Sequence, residues 1–252
     1  MNRTPIEMPV LNEFTLFGSI TLISILRYAI FASIAWMLCY VCFSRRWHHR
    51  KIVQRLPLSK DIRREVLHSL RSILIFGLIG ILTIKASRVG WTHLYLDIHA
   101  HSWSWFLASI VLTILVHDTW FYWTHRLMHH LSTNPTPWAA FAFSPAEAVI
   151  QAAIFPIAVT IMPVHPYAFG IFLAWQMLFN VIGHTGYEFH PGWLMRSPLR
   201  FVMNTPTNHA MHHESMHGNF GLYFNYWDRL MRTNHQDYER RFLEVTSRKT
   251  SG

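Results

Sequence analysis

Four histidines and one glutamate lie within nine positions of the segment "TPTNHAMHHESMHGNFG". Imidazole is a good ligand for iron and for zinc, so a cluster this dense points to metal chemistry. Two interpretations fit the residues. The spacing His209-x-x-His212-His213 is typical of a histidine-rich iron site in a membrane enzyme. The overlapping run His213-Glu214-x-x-His217 has the zinc metalloprotease pattern, with Glu214 as general base.

The same segment predicts a short helix. Thr205 is a suitable N-cap, Pro206 suits the first helical position and Gly218 is a natural stop. On a helix of about three turns, His209 and His213 are one turn apart and the remaining histidine of the H-x-x-H-H spacing lies beside them. We therefore expect three imidazoles to converge on one point.

A second cluster, "HDTWFYWTHRLMHH", directly follows an apolar stretch and is expected to continue its helix. At roughly 100° per residue, Asp118, His125 and His129 lie within about 20–40° of one another on one face, whereas His117 lies nearer the flank. His125 and His129 are therefore a second ligand pair, which Asp118 could orient from behind. His130 and His117 are possible additional ligands.

A third cluster, "GHTGYEFHP", places His184 immediately after another apolar stretch, with Glu188 one turn beyond it. We expect His184 to bind metal and Glu188 to support a ligand from behind. Isolated histidines are usually surface or core residues without a metal. That interpretation applies to His48, His49, His68, His93, His99, His101, His165 and His235.

The number of histidines distinguishes the two metals. A zinc hydrolase needs two histidines and one further protein ligand, which would leave most of the clustered histidines without a role. A pair of irons needs many ligands, and imidazole suits iron. The sequence therefore favours two non-haem iron ions over zinc.

The composition indicates a membrane protein. The chain has 252 residues, of which 51% are hydrophobic and 14% are charged, against about 25% charged in ordinary soluble domains. The net charge of +9 is concentrated between hydrophobic runs and gives no indication of nucleic-acid binding. Cys39 and Cys42 lie within an apolar run, so a disulfide framework is not expected.

Hydropathy predicts an all-α fold, a polytopic membrane helical bundle with a cytoplasmic histidine-rich metal-binding cap. The basic loop Ser44–Arg64 carries eight Lys or Arg residues and is assigned to the cytoplasm. Counting crossings from that loop puts all three histidine clusters on the cytoplasmic side, as a shared site requires. Five apolar stretches cover approximately residues 20–43, 73–84, 103–116, 148–162 and 167–182.

Four motifs in this order carry a family resemblance: "HDTWFYWTHRLMH", "PTPWAAFAFSPAEAVIQA", "GHTGYE" and "HAMHHESMHGNFGLYFNYWDRL". Together they resemble the fatty acid hydroxylase / sterol desaturase superfamily of integral-membrane di-iron oxygenases. The resemblance implies a di-iron domain at residues 110–245. Residues 1–109 would then form an N-terminal transmembrane region with the basic cytoplasmic loop, and residues 246–252 a polar tail.

The resemblance also implies an activity. Such a protein uses two irons and O2 to hydroxylate or desaturate a C–H bond of a membrane lipid of sterol or fatty acyl type, with electrons from a separate redox protein. The oligomeric state is left open, and the membrane is expected to be a bacterial inner membrane, with the endoplasmic reticulum as the alternative. The family pattern assigns the iron ligands to His125, His129, His184, His209, His212 and His213, and all of these except His184 are also the predicted catalytic residues.

One element of the family pattern is absent. The segment "HRLMHHLSTNPTPW" joins the first motif directly to the next, without the usual middle H-x-x-H-H, and His130 is its one possible remnant. Arg232 stands where the family commonly has glycine. A non-catalytic or metal-deficient descendant of the same fold is therefore an alternative to the enzyme, alongside the less favoured zinc hydrolase.

Overall fold

The computed structural model describes residues 12–127 and 132–249, and within these ranges it is a helical protein without β-strands. The predicted all-α fold is confirmed. His129 and His130 lie outside the described residues. In chain order the helices are α1 (Glu13–Trp36), α2 (Ser59–Arg88), α3 (Trp103–His125), α4 (Pro145–Ala152), α5 (Ile154–Ile161), α6 (Pro166–Gly183), α7 (Pro206–Ser215), α8 (Tyr226–Leu230) and α9 (Tyr238–Ser247).

Four of these helices are long and apolar enough to cross a membrane: α1 with its π-helical extension Met37–Cys42, α2, α3 and α6. In their most apolar windows only 22% to 33% of the residues are buried in the protein. The rest form a broad apolar surface that includes Leu22, Leu78 and Val111. A surface of this extent is typical of lipid contact rather than of water.

The fourth apolar stretch does not form a single spanning helix. It folds as the two short helices α4 and α5, which meet at Ala153 and cover Pro145–Ile161. Seventeen residues of helix rise only about 26 Å, less than the roughly 30 Å hydrocarbon core. This stretch is therefore too short to cross the hydrocarbon core at right angles to the membrane plane.

The bundle packs around α1, α2 and α6. Tyr28 and Ile73 are buried against Met177, and Phe141 from the segment before α4 fills the same core. The Tyr28 hydroxyl donates to the Trp138 carbonyl at 2.7 Å. Buried hydrogen bonds of this kind fix the segment between α3 and α4 against the membrane helices, beneath the histidine-bearing elements.

Helix α7 begins as the sequence predicts and ends earlier. The Thr205 side chain accepts from the Asn208 backbone N–H, and Pro206 occupies the first turn. The helix ends at Ser215 because Met216 adopts a left-handed conformation, with φ of 56°. The predicted stop at Gly218 therefore comes too late. Gly218 is needed for another reason, since a Cβ there would collide with a carbonyl oxygen across the loop.

Candidate metal centre

Three histidine side chains meet at the boundary between α6 and α7. His184 directly follows α6, and His209 and His213 lie one turn apart on α7. Their three Nε2 atoms are mutually 3.2 Å apart. All three side chains are buried, with exposed fractions of 6%, 4% and 3%. We call His184, His209 and His213 the histidine triad.

The protonation of the triad follows from its hydrogen bonds. Nδ1 of His184 lies 2.6 Å from the Asn180 carbonyl, and Nδ1 of His213 lies 2.8 Å from the Ser132 carbonyl. A carbonyl only accepts, so each Nδ1 carries the proton and each Nε2 presents a lone pair to the triad centre. Nδ1 of His209 is buried and has no hydrogen-bond partner in the described part of the chain.

This donor set fits a metal ion. Nitrogens about 2.1 Å from one ion are about 3.0 Å apart at octahedral angles and about 3.4 Å apart at tetrahedral angles. The observed 3.2 Å lies between these limits. Burial lowers the pKa of His184 to about 4 and holds the pKa values of His209 and His213 well below their usual range. The imidazoles are therefore neutral near pH 7, the form that binds a metal.

Two further histidines lie beside the triad. The rings of His125, at the end of α3, and His212, on α7, have centroids 4.3 Å apart, and His125 is 5.9 Å from His209. Their Nδ1 atoms donate to the carbonyls of Phe220 and Gly218, at 2.8 Å and 2.7 Å. We call His125 and His212 the histidine pair. Its imidazoles are fixed by the same kind of backbone contact as His184 and His213.

His117 lies apart from the pair and the triad. It is two turns before His125 on α3, and its Nδ1 meets the hydroxyl of Tyr223 at 3.0 Å. Asp118 does not bond an imidazole through Oδ1. That oxygen accepts from the backbone N–H groups of Tyr223 and Phe224, at 2.8 Å and 3.3 Å. Asp118 therefore positions the segment that carries Tyr223, and reaches His117 only through it.

Glu188 supports the first turn of α7. Its Oε2 accepts from the backbone N–H of Thr207 at 3.0 Å and from the Thr207 hydroxyl at 2.6 Å. Its Oε1 lies 2.8 Å from Nδ1 of His190, which is not part of the triad. Glu188 thus orients an imidazole, as the sequence suggested, but not that of a triad member. Its larger contribution is to fix the helix that carries His209 and His213.

Asp228 is a supporting residue that the sequence reasoning missed. It is fully buried and accepts from the backbone N–H groups of Phe220 and Gly221, at 2.9 Å and 2.7 Å, and from the Thr233 hydroxyl at 2.7 Å. These bonds hold the loop whose carbonyls orient the histidine pair. The signal available in the sequence was an acid in the aromatic run "FNYWDRL".

The geometry does not support the zinc protease interpretation. Because α7 ends at Ser215, His217 is not one helical turn beyond His213 on the same face. Its side chain is exposed, and its Nδ1 bonds the Ser215 carbonyl at 2.6 Å. Glu214 is also exposed and pairs with Arg241 at 3.2 Å. Neither residue adjoins the triad centre.

An aromatic cavity adjoins the triad. Its volume is about 20 Å³, and Phe121, Phe143 and Asn180 line it together with the triad. The same three residues also line a second cavity of about 20 Å³ between the membrane helices. The triad therefore adjoins aromatic side chains that also face the interior of the bundle.

Comparisons with known proteins agree with this architecture. Residues 110–233 match the fatty acid hydroxylase family model. The chain is 29% identical over 216 residues to Delta(7)-sterol 5(6)-desaturase ERG3B of Gibberella zeae, covering 79% of this chain and 63% of that protein. It is 25% identical over 215 residues to lathosterol oxidase of Mus musculus, covering 78% and 70% of the two chains. No solved structure matches the chain.

A relative that matches a shorter part of the chain has a different activity in its name. Very-long-chain aldehyde decarbonylase GL1-4 of Oryza sativa subsp. indica is 29% identical over 153 residues, which are 51% of this chain and 24% of that protein. The matched motifs, the membrane helices and the histidine centre agree with one assignment. The chain belongs to the fatty acid hydroxylase / sterol desaturase superfamily.

Proposed function

We propose that this protein is a membrane-bound oxidoreductase that uses two irons and O2 to hydroxylate or desaturate a C–H bond of a lipid. The observation that carries the proposal is the convergence of three Nε2 atoms in a buried triad, beside a second pair of imidazoles that backbone carbonyls hold. The relatives support the lipid, because their names include sterol desaturases and a lathosterol oxidase.

The triad and the pair are proposed as parts of two neighbouring iron sites. His184, His209 and His213 would hold one ion, while His125 and His212 would contribute to the other. His129, His130 and His117 are the remaining predicted ligands; the first two lie outside the described residues. Iron bound at these nitrogens would supply the O2 activation that no side chain of the protein can supply.

The protein's own residues then position the groups and exclude water. Backbone carbonyls hold four of these imidazoles, those of His184, His213, His125 and His212, in the neutral form with Nε2 towards the metal, so little reorganisation accompanies metal binding. Phe121 and Phe143 form apolar walls beside the triad, where a lipid C–H bond would approach. Electrons would come from a separate redox protein, and the site is assigned to the cytoplasmic face of a bacterial inner membrane or, alternatively, of the endoplasmic reticulum.

The direct connection between α3 and the following segment supports a second candidate, a descendant that lacks a complete di-iron site. The middle H-x-x-H-H motif is absent there. Metal analysis of the detergent-purified protein separates the candidates. About two irons per chain, with O2-dependent oxidation of a sterol or fatty acyl lipid, supports the enzyme. Less than one equivalent of any metal, with no oxidation, supports the descendant, and about one zinc contradicts both.

A further inference from the structure

The second cavity contains a charged residue inside the membrane-spanning bundle. Arg27 lines this cavity, together with aromatic side chains from α2, α3, α5 and α6. Arg27 is the one charged residue between Phe14 and Cys42. It lies near the middle of that span, about 21 Å along the helix from Glu13. An ionisable residue at such a place is costly and usually functional.

No internal partner neutralises Arg27 within the described ranges. Its Nε is buried without a hydrogen-bond partner, and no ion pair to a described residue involves it. The cavity lining includes Gln151, Gln176, Asn180 and His117 but no Asp or Glu. A buried guanidinium without a counter-charge is unfavourable, so the cavity has the electrostatics of an anion site.

The cavity also leads to the metal centre. Phe172, Gln176 and Asn180 line it at successive one-turn intervals on α6, and His184 of the triad follows one turn later. Gln176 and His184 are therefore about 12 Å apart along the helix axis. Asn180 lines both this cavity and the one at the triad. A long molecule held near Arg27 would have its chain directed along this face of α6 towards the triad.

We propose that Arg27 binds an oxyanion of the lipid substrate, so that the substrate is an anionic lipid rather than a neutral sterol or alcohol. The planar guanidinium offers paired donors that match a carboxylate or a phosphate. The lining is largely aromatic, which suits a hydrocarbon chain, but the cavity of about 20 Å³ holds only a water-sized molecule, so the chain would displace some of these side chains. This inference rests on the proposed function only in taking the cavity as the substrate site. Carboxylate and phosphate share this chemistry, and the experiment distinguishes them.

The test is equilibrium binding to the full-length protein, purified in a nonionic detergent with its metal. Radiolabelled palmitate is the probe, and palmitate, 1-palmitoyl lysophosphatidate, hexadecanol and cholesterol are the competitors. We expect palmitate or the lysophosphatidate to compete about tenfold or more better than hexadecanol, as a charge-assisted hydrogen-bonded pair predicts. The stronger of the two anions identifies the head group.

Variants of Arg27 test whether this residue causes the preference for an anion over hexadecanol. Arg27→Gln should bind the anion and hexadecanol equally, and Arg27→Lys should retain part of the difference. Arg64→Gln is the matched control, because Arg64 lies on α2, pairs with Asp61 and does not line the cavity. Its preference should equal that of the unaltered protein.

Two results would overturn the inference: equal binding of palmitate, lysophosphatidate and hexadecanol by the unaltered protein, or an anion preference that Arg27→Gln leaves intact. If Arg27→Gln does not fold, judged by its thermal unfolding, the competition series on the unaltered protein decides alone. Binding requires no turnover, so the two proposals fail separately. Anion binding without iron or oxidation contradicts the proposed function, whereas iron-dependent oxidation without an anion preference contradicts only the role of Arg27.

Discussion

The two histidine-rich segments, on α3 and α7, differ in how many of their described histidines lie close to other imidazoles. On α7 the three histidines of the H-x-x-H-H spacing are buried and lie beside other imidazoles. On α3 only His117 and His125 lie within the helix, and they face different partners, a tyrosine hydroxyl and His212. Histidines at helical spacing share a face only within the helix itself, and they meet other imidazoles only where another element packs against that face.

The supports of the two segments also differ. Helix α7 is fixed at its start by Thr205 and Glu188, so His209 and His213 have a rigid base. His125 is held instead by a carbonyl of the loop that Asp228 organises. The triad therefore depends on two helix ends, whereas the pair depends on a loop contact. Substitutions at each can test this difference.

The largest effect is expected at the triad. His213→Ala removes one of three converging donors and the contact with the Ser132 carbonyl, so we expect bound iron and lipid oxidation to fall to background. His217→Ala is the control from the same segment, since its side chain is exposed and outside the centre. In His217→Ala, the iron content per chain, measured by elemental analysis, should be unchanged. Equal losses in both variants would contradict the proposed triad.

A smaller loss is expected at the pair. His125→Ala should remove the ion at that position and keep the triad ion, which leaves about half of the iron. The reason is that His125 has its own backbone anchor and contacts the triad through ring packing with His209. Elemental analysis measures the iron content per chain, and His235→Ala is the control variant. Complete loss of iron would show that the two groups form one inseparable centre.

The base of α7 is tested by Glu188→Gln. The amide presents an N–H donor at one of two places, where the backbone N–H and the side chain of Thr207 or of His190 now donate, so at least one hydrogen bond is lost. We expect a destabilisation of about 1–3 kcal/mol, seen as a lower midpoint of thermal unfolding in detergent. Glu214→Gln, at an exposed ion pair on the same helix, should change the midpoint much less. The opposite order would argue against a supporting role for Glu188.

A still smaller change is expected where His117 contacts the loop. Tyr223→Phe removes one hydroxyl contact at 3.0 Å and keeps the ring packing, so we expect about 1 kcal/mol of lost stability and an unchanged iron content. Thermal unfolding and elemental analysis on the same sample measure both quantities. A loss of iron in this variant would instead assign His117 to the metal centre.

The smallest effect is expected from mild acidification. Protons compete with metal only near and below the pKa of a ligand, and burial lowers the pKa of His184 and of His212 to about 4. The pH range in which protons displace the metal therefore lies below the ordinary imidazole pKa of about 6.5. Iron retained after dialysis at about pH 5.5 should equal that at about pH 7. Release between these values would mean that the imidazoles are accessible to water.

Much of the site could be predicted from local spacing. Thr205, Pro206 and the i, i+4 relation of His209 and His213 follow from helix geometry alone, and His184 follows from its place at the end of an apolar stretch. The wrong helix end has an equally local cause. Met216 adopts a left-handed conformation, with φ of 56°, and this takes His217 off the helical face.

The sequence by itself determined the helical membrane class, the superfamily and the histidines that could bind metal, because hydropathy and side-chain periodicity are properties of neighbouring residues. Only the tertiary structure decided which imidazoles meet, that Asp118 and Glu188 fix backbone rather than triad imidazoles, and that Arg27 faces a cavity without a carboxylate. Each of these depends on contacts between residues far apart in the chain. Spacing cannot encode them, since they arise when separate helices pack.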